Sequence, residues 1–218
     1  FRMSFPKQQF NLLNVVDMKI QGISTVQSGG IKALFQDKNG DIWIGTRKSE
    51  VFQFSREGKI KHRFSKENYN IGNVYHIMQD RHGCLWFSTK GQGLVKAFPD
   101  ESSSQGFKFT RYTHDDLIPS SISGNDIYCT FQDSKGRIWV GAFGGGLNLL
   151  QQDGNTVIFK HKYNSFNKYP EYGQYVEVRN IIEDKTGRIW VGTSDGLMSF
   201  DGNFDSSDKI NFEIYRNG

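Results

Sequence analysis

Short apolar runs, each closed by a turn signal, recur along this chain. The run IKALFQ (31–36) is followed by Asp-x-x-Gly and then by a second apolar run, IWIGT (42–46). Asp-x-x-Gly predicts a tight hairpin turn, because Asp bonds nearby backbone N–H groups and Gly accepts a positive φ. The second run is apolar almost throughout, which is typical of a strand buried on both faces. The pattern therefore predicts two antiparallel strands.

Two further strands follow in each unit. Glycine-rich linkers lead into a third apolar run such as GLVKAF (93–98), and a more polar run such as FKFTRY (107–112) comes next. Charged and aromatic residues alternate in this fourth run, which predicts an outer edge that faces solvent. One unit is thus predicted to be four short strands.

This unit occurs four times. The lead-ins IKALFQDKNG, VYHIMQDRHG, IYCTFQDSKG and VRNIIEDKTG each precede a tryptophan, and these tryptophans lie 43, 53 and 51 residues apart at Trp43, Trp86, Trp139 and Trp190. A four-stranded sheet repeated at this period is the signature of a β-propeller, whose blades pack face to face. We therefore predict an all-β fold in which tryptophan fills the gap between neighbouring blades at about 31–72, 73–124, 125–176 and 177–218.

Residues 1–30 lack the tryptophan phrase, and they are interpreted as a partial blade or a strand that completes the last blade. Propellers commonly need about seven blades for closure, so we expect a single partial propeller cut from a longer protein. Four blades alone would close as a strained ring or pair with another copy through their open apolar ends.

Composition agrees with a turn-rich β domain, since the 218 residues include 24 glycines and four prolines. The longest apolar stretch is too short for a membrane span, and no signal peptide is recognisable. The net charge of +4 is spread over the outer strands, which favours a solvated face over a nucleic-acid track. Cys84 and Cys129 are expected to be small buried residues in different blades.

Candidate chemistry is sparse. No pair of the five histidines has ligand spacing, so we expect no metal and no cofactor. The stretch 37–41 imitates the start of a calcium loop, but Gly stands at the fourth position and Lys48 at the twelfth. The glycines of GRIWVGAFGGGL (136–147) lack the Lys-Ser/Thr of a phosphate loop. The Asp of each turn repeats in every blade, which indicates a structural role, and we expect no catalysis by this region.

A ligand would use residues that differ among the repeats. These lie in the loops that lead into each first strand and in those that join second to third strands, on one face of the propeller. Aromatic rings beside cations and amides suit a sugar. The candidates for ligand binding are Arg47, Lys48, Tyr75, Lys90, Gln92, Asn125, Tyr128, Phe143, Arg179 and Asp195, with Asn73 and Glu177 beside them.

The pattern V-x-x-I-x-[QE]-D-x-x-G-x-[IL]-W-[IV]-G-T-x-x-G-G-L resembles the two-component regulator propeller repeat. Residues 127–149 and 178–200 match it nearly throughout, and the match extends over four units across 31–218. The first copy departs from it at 47–50, where the paired glycines belong, and the second has Ser88 in place of Gly. We expect these departures to alter loops but to leave the fold unchanged.

The resemblance implies a function in signal transduction. Propellers of this family form the periplasmic or extracytoplasmic sensing region of membrane-anchored hybrid histidine kinases, and many respond to oligosaccharides. By this resemblance the chain would recognise an oligosaccharide and pass the signal to a kinase that is not among these residues. Two alternatives are a propeller that serves only as a structural or protein-interaction platform, and a polysaccharide-degrading propeller enzyme.

Overall fold

The computed structural model describes residues 30–69, 71–154, 156–170 and 175–215. Apart from Gly30, the interpretation of residues 1–30 as a partial blade lies outside the described residues. No helix in the described ranges is long and apolar enough to cross a membrane.

The described strands form four sheets of four strands each. The first sheet contains β1 (Ile31–Gln36), β2 (Ile42–Thr46), β3 (Val51–Phe54) and β4 (Ile60–Phe64). The second contains β5 (Asn73–Gln79), β6 (Leu85–Lys90), β7 (Leu94–Pro99) and β8 (Phe107–Tyr112). The third contains β9 (Ile127–Gln132), β10 (Ile138–Ala142), β11 (Gly146–Asp153) and β12 (Thr156–His161). The fourth contains β13 (Val178–Glu183), β14 (Arg188–Thr193), β15 (Gly196–Asp201) and β16 (Glu213–Tyr215).

Two short helical segments join these strands. Helix α1 (Lys66–Tyr69) follows the first sheet, and a 3₁₀ turn (Ser207–Lys209) lies between the last two strands. Each sheet is antiparallel with its strands in chain order, and the first strands pack consecutively, β1 on β5, β5 on β9 and β9 on β13. The first strands therefore form the inner edge of four propeller blades, and the predicted fold class is confirmed.

The Asp-x-x-Gly turns hold the tryptophans in place. Oδ1 of Asp80 accepts backbone N–H groups of His82 and Cys84, and Oδ2 accepts the indole N–H of Trp86 at 2.8 Å. The same indole bond measures 2.8, 2.8 and 2.7 Å in the other three blades. Gly83 closes the turn at φ 86°, the left-handed region that Gly tolerates. Each blade is thus fastened by one aspartate.

In the fourth blade, hydrogen bonds to the turn aspartate, Asp184, lower its pKa. The hydroxyl of Thr186, followed by the indole of Trp190, holds the pKa of Asp184 below its ordinary value. Both groups stabilise the carboxylate form, so the ionised aspartate is the state that the turn requires.

Tryptophan packs against the following blade, as predicted. The ring of Trp43 lies 6.0 Å from Phe87 and 5.4 Å from Phe107, both in the second blade. Trp139 lies 5.1 Å from Phe200 of the fourth blade. Both tryptophans are almost completely buried. Apolar burial between adjacent sheets therefore contributes to joining the blades.

The tryptophan-bearing face of the last blade is uncovered by described residues. Leu197 is 36% exposed, whereas its counterparts Leu94 and Leu147 are 0% exposed. Trp190 is only partly buried, and Tyr215 beside it is 42% exposed. The described blades form an open row, as expected of a partial propeller, and of the two alternatives for four blades alone the strained closed ring is not what they form. Self-association through this face stays a prediction that light scattering would check.

The fourth strands are less exposed than the alternation suggested. They do lie at the outer edge of each sheet, but Phe64, Phe159 and His161 are buried. Phe64 stacks on Trp43 at 5.9 Å, because alternate residues of the edge strand turn back towards the blade interface. Cys84 and Cys129 are buried and free, as expected.

Candidate functional site

A β-bulge interrupts the first strand of every blade at the same place. Ile31 pairs with Thr46 and Ala33 with Gly45, which leaves Lys32 without a paired residue on the neighbouring strand β2. The same register shift isolates one residue in each of the other first strands, namely Tyr75, Tyr128 and Arg179. A bulge re-aims the side chain of its extra residue and occurs often beside functional sites.

The four bulged side chains meet in blade order. The ammonium of Lys32 lies 5.8 Å from the ring centre of Tyr75, whose ring centre lies 5.0 Å from that of Tyr128. The guanidinium of Arg179 lies 4.8 Å from the ring centre of Tyr128. Two tyrosines thus stand between two cations along the inner edge of the four blades.

Phe143 completes this arrangement from the loop between β10 and β11. Its ring centre is 5.3 Å from that of Tyr128, and the guanidinium of Arg179 lies 4.8 Å from it. The backbone N–H of Phe143 donates to the carbonyl of Asp126, and Phe143 forms an isolated β-bridge with Glu177. We call Lys32, Tyr75, Tyr128, Phe143 and Arg179 the tyrosine ladder.

The ladder offers groups that are free to bind. Tyr75 and Tyr128 are half-buried, and their hydroxyls have no hydrogen-bond partner among the described residues. Arg179 donates to Ser194 Oγ at 3.1 Å and lies 3.6 Å from a carboxylate oxygen of Glu177. Its remaining N–H groups are available, since a guanidinium carries five donors. Ring faces, hydroxyls and cations therefore converge on one surface.

Four of the ten sequence candidates belong to the ladder: Tyr75, Tyr128, Phe143 and Arg179. The backbone N–H of Arg47 donates to the carbonyl of Gly30, and Lys90 pairs with Asn73, so these two cations lie beside the starts of β1 and β5. Lys48 is exposed in the same turn as Arg47.

The other three candidates have local partners. Oδ1 of Asn125 accepts a hydrogen bond from the backbone N–H of His114 at 2.8 Å. The backbone carbonyl of Gln92 accepts one from the guanidinium of Arg111 at 2.6 Å. The backbone N–H of Asp195 donates to the hydroxyl of Thr193 in its own turn. These contacts hold loops in place, and they give no support to direct ligand binding.

Lys32 was missed by the sequence reasoning. The available signal was its position, because Lys32, Tyr75, Tyr128 and Arg179 each follow the first apolar residue of their repeat. Inside the apolar run IKALFQ a single lysine gives no sign of a special role. The bulge that re-aims it is visible only in the pairing of β1 with β2.

A second polar cluster lies between the second and third blades. The hydroxyls of Ser88 and Thr130 are 2.8 Å apart and buried, and Nδ1 of His76 accepts the backbone N–H of Thr130 at 3.3 Å. Burial lowers the pKa of His76, because desolvation disfavours the imidazolium. This cluster joins two blades, and the side chains of Ser88 and Thr130 are buried in it.

A cleft outside the ladder contains a side chain that is engaged in structural contacts. A cleft of about 600 Å³ lies between the third and fourth blades, where Arg137 bonds Asp133 and the carbonyl of Gly202. In the part of the chain that the structure describes, no three His, Cys, Asp or Glu residues are grouped to hold a metal ion. The tyrosine ladder is therefore the best candidate site.

Known proteins resemble this chain in sequence and in structure. Four segments match the two-component regulator propeller family, at residues 25–48, 68–91, 121–144 and 173–195. The chain is 30% identical over 86 residues to "Histidine kinase P4" of Formosa agariphila, an alignment that covers 39% of this chain and 6% of that protein.

Two solved structures share the fold. One is the extracellular domain of a protein described as a hybrid two-component system from B. thetaiotaomicron, with a TM-score of 0.59 and 18% identity, covering 86% of this chain and 24% of that one. The other is PorZ, a surface component of the type-IX secretion system of Porphyromonas gingivalis, with a TM-score of 0.60 and 18% identity. The alignment covers 83% of this chain and 26% of PorZ.

These matches extend over only part of each relative. The chain spans 6% of the histidine kinase and about a quarter of each solved structure. At 18% identity the structural likeness shows the fold alone. The assignment of the repeats to a family rests on the four matched segments. The four repeats of this chain therefore belong to the two-component regulator propeller family.

Proposed function

We propose that this chain is part of the extracytoplasmic sensing region of a hybrid two-component regulator and that it binds an oligosaccharide on the tyrosine ladder. The four repeats and the match to a histidine kinase support a role in two-component signalling. The fold shared with an extracellular domain of a two-component protein supports the extracytoplasmic location.

The tyrosine ladder is the observation that carries the binding proposal. Tyr75 and Tyr128 come from adjacent blades, and their ring centres lie 5.0 Å apart. Half-buried aromatic rings offer apolar faces that suit the C–H face of a sugar, and their hydroxyls can bond its hydroxyl groups. The cations at either end add donors for polar substituents.

Binding suits these residues better than catalysis. The repeated aspartates are candidates for acid–base chemistry, but Asp37, Asp80, Asp133 and Asp184 each accept the indole N–H of their own tryptophan. They also accept backbone N–H groups of their turns. Glycoside hydrolysis needs two carboxylates that face a shared cleft, and these four lie in four separate turns.

Ligand binding on the ladder would act on several blades at once. Its side chains come from four blades, and they touch through rings and cations, with no hydrogen bond joining one ladder side chain to another among the described residues. A bound oligosaccharide would connect these blades and favour one relative orientation of them. We propose that this change is what passes to the kinase elsewhere in the full-length protein.

The test is a thermal melting series against a panel of neutral and acidic oligosaccharides. A ligand that binds only the folded state at 100 times its Kd stabilises it by about 2.7 kcal/mol. Tyr128→Leu should abolish the shift. The control Tyr163→Leu should retain it, because Tyr163 is 65% exposed and follows the outer strand β12.

The outcome separates sensing from a platform role. A shift that depends on Tyr128 supports the proposal. A folded protein that shifts with no glycan, or whose shift survives Tyr128→Leu, contradicts binding on the ladder.

A further inference from the structure

We propose that the ligand of the tyrosine ladder is an anionic oligosaccharide with acidic groups near both ends, and that Lys32 and Arg179 select it. This inference rests on the proposed function, because it concerns the same site. It adds a ligand class and two specificity-determining residues, one in the first blade and one in the fourth.

The order of groups along the ladder is the first argument. Lys32 and Arg179 occupy its two ends, and the tyrosines occupy the middle. A ligand whose sugar rings stack on Tyr75 and Tyr128 would therefore place its ends beside cations. Carboxylate or sulfate groups at those ends would form charge-assisted hydrogen bonds, which are stronger than bonds to neutral hydroxyls.

Both cations are available to a ligand. Lys32 is exposed and makes no hydrogen bond or ion pair among the described residues. The side chain of Arg179 is 45% exposed, and its planar guanidinium can bind a carboxylate or sulfate through two parallel N–H groups. Both residues sit at bulges, so the strand backbone directs their side chains out of the sheet.

Neighbouring charges reinforce the positive field at one end. Arg47 and Lys48 lie in the turn beside the start of β1, and Lys90 lies beside the start of β5. At the other end the negative charge of Glu177 weakens the positive field, because a carboxylate oxygen lies 3.6 Å from Arg179. An acidic ligand would compete with Glu177 for the same guanidinium, so Glu177 should weaken its binding.

The geometry also explains why charge at both ends would matter. The ladder connects four blades, and its two terminal residues belong to the outermost of them, the first and the fourth. A ligand anchored at one end would contact only part of the row. A ligand anchored by both cations would connect all four blades, which is the event that the proposed sensing requires.

The experiment compares an acidic oligosaccharide with its uncharged methyl ester. Tetragalacturonate and its fully methyl-esterified form share the same sugar rings, and calorimetric titration gives the Kd of each. A sulfated chondroitin tetrasaccharide tests whether sulfate serves as well as carboxylate. We expect the acid to bind about tenfold more tightly than its ester, and the preference to decrease as salt is added.

Three substitutions locate the effect. Lys32→Met and Arg179→Met keep the side-chain stem and remove the charge, and each should weaken acid binding about threefold with little effect on the ester, so that the two cations together account for the roughly tenfold preference. Glu177→Gln should strengthen acid binding. The control Lys108→Met removes an exposed charge from the outer strand β8 and should change neither ligand.

The possible results separate this inference from the function on which it rests. Equal Kd values for acid and ester, with binding still lost in Tyr128→Leu, would overturn the anionic ligand and leave oligosaccharide sensing standing. An acid preference that survives both Lys32→Met and Arg179→Met would overturn the assignment of the two residues. Failure of every glycan to bind the folded protein would remove both proposals.

Discussion

Ser134 donates two hydrogen bonds to Glu183 across the junction of the third and fourth blades. Its backbone N–H reaches Oε2 at 2.6 Å and its hydroxyl reaches Oε1 at 2.7 Å. The preceding junction uses Arg81 and Gln132 at the same places, where the backbone N–H of Arg81 donates to the carboxamide oxygen at 2.8 Å. The third junction therefore differs at both partners.

The two kinds of junction satisfy the same groups differently. At the first junction Lys38 donates its backbone N–H to Gln79, whose amide nitrogen donates in turn to the carbonyl of Gly83. The side-chain carboxylate of Glu183 has no N–H to donate, and its second oxygen accepts a hydrogen bond from the Ser134 hydroxyl instead. A serine paired with glutamate thus replaces a cation paired with glutamine.

We expect Ser134→Ala to lower the free energy of unfolding by about 1 kcal/mol, because one inter-blade hydrogen bond is lost. Urea denaturation followed by tryptophan fluorescence measures the change. Ser104→Ala, at an exposed position with no side-chain hydrogen bond among the described residues, is the control. The double variant Ser134→Lys with Glu183→Gln should recover much of the loss. Equal stability of the Ser134 and Ser104 variants would refute this account.

Asp80→Ala should destabilise the protein by about 3 kcal/mol or more, because three buried or half-buried N–H groups lose their acceptor. Asp80→Asn should recover only part of this, since one of its two terminal groups is a donor that would face the indole or the backbone. Asp153→Ala, an exposed control, should leave the unfolding midpoint unchanged. An Asn variant as stable as the wild type would show that the carboxylate is not required.

Gly141→Ala should destabilise the fold, whereas the equivalent Gly192→Ala should be tolerated. A Cβ at Gly141 would lie 2.5 Å from both Cys129 Sγ and Val178 Cγ1, but at Gly192 its nearest neighbour is 3.9 Å away. Overpacking of this kind costs about 1–3 kcal/mol. Chemical denaturation of the pair measures the difference, and similar midpoints would contradict the close packing of the third junction.

Stability should decrease as the pH falls below about 6.5, and His76 should contribute to this loss. Burial lowers its folded pKa beneath the ordinary value, so the unfolded state binds more protons between the two pKa values. The contribution is complete above the unfolded pKa and is lost as the pH falls towards the folded one.

The variant His76→Asn places an oxygen acceptor near Nδ1 and removes the titration. Unfolding free energies measured from pH 7.5 to pH 5 should therefore fall less steeply in the variant. A residual slope is expected, because burial also lowers the pKa of His62 and His161. Identical slopes in both proteins would show that His76 does not titrate in this range.

The blades could be predicted from sequence because the interactions that define them are local. The Asp-x-x-Gly turn joins residues a few positions apart, and the tryptophan that bonds Asp80 stands six residues after it. Apolar runs on either side of such a turn are brought close enough to pair as a β-hairpin. Repetition of this local pattern also implied that tryptophan packs between blades, since every copy presents the same apolar face.

The candidate site could be predicted from the sequence only in part. Variation among repeats pointed to Tyr75, Tyr128, Phe143 and Arg179, but it also pointed to Asn125, whose side chain holds a loop. Lys32 remained hidden, because a shift of one residue in strand register changes the direction of a side chain, and no local pattern reveals that shift. Bringing Lys32 and Arg179 to opposite ends of one ladder takes three blade junctions between residues far apart in the chain, so it depends on how the sheets pack against one another.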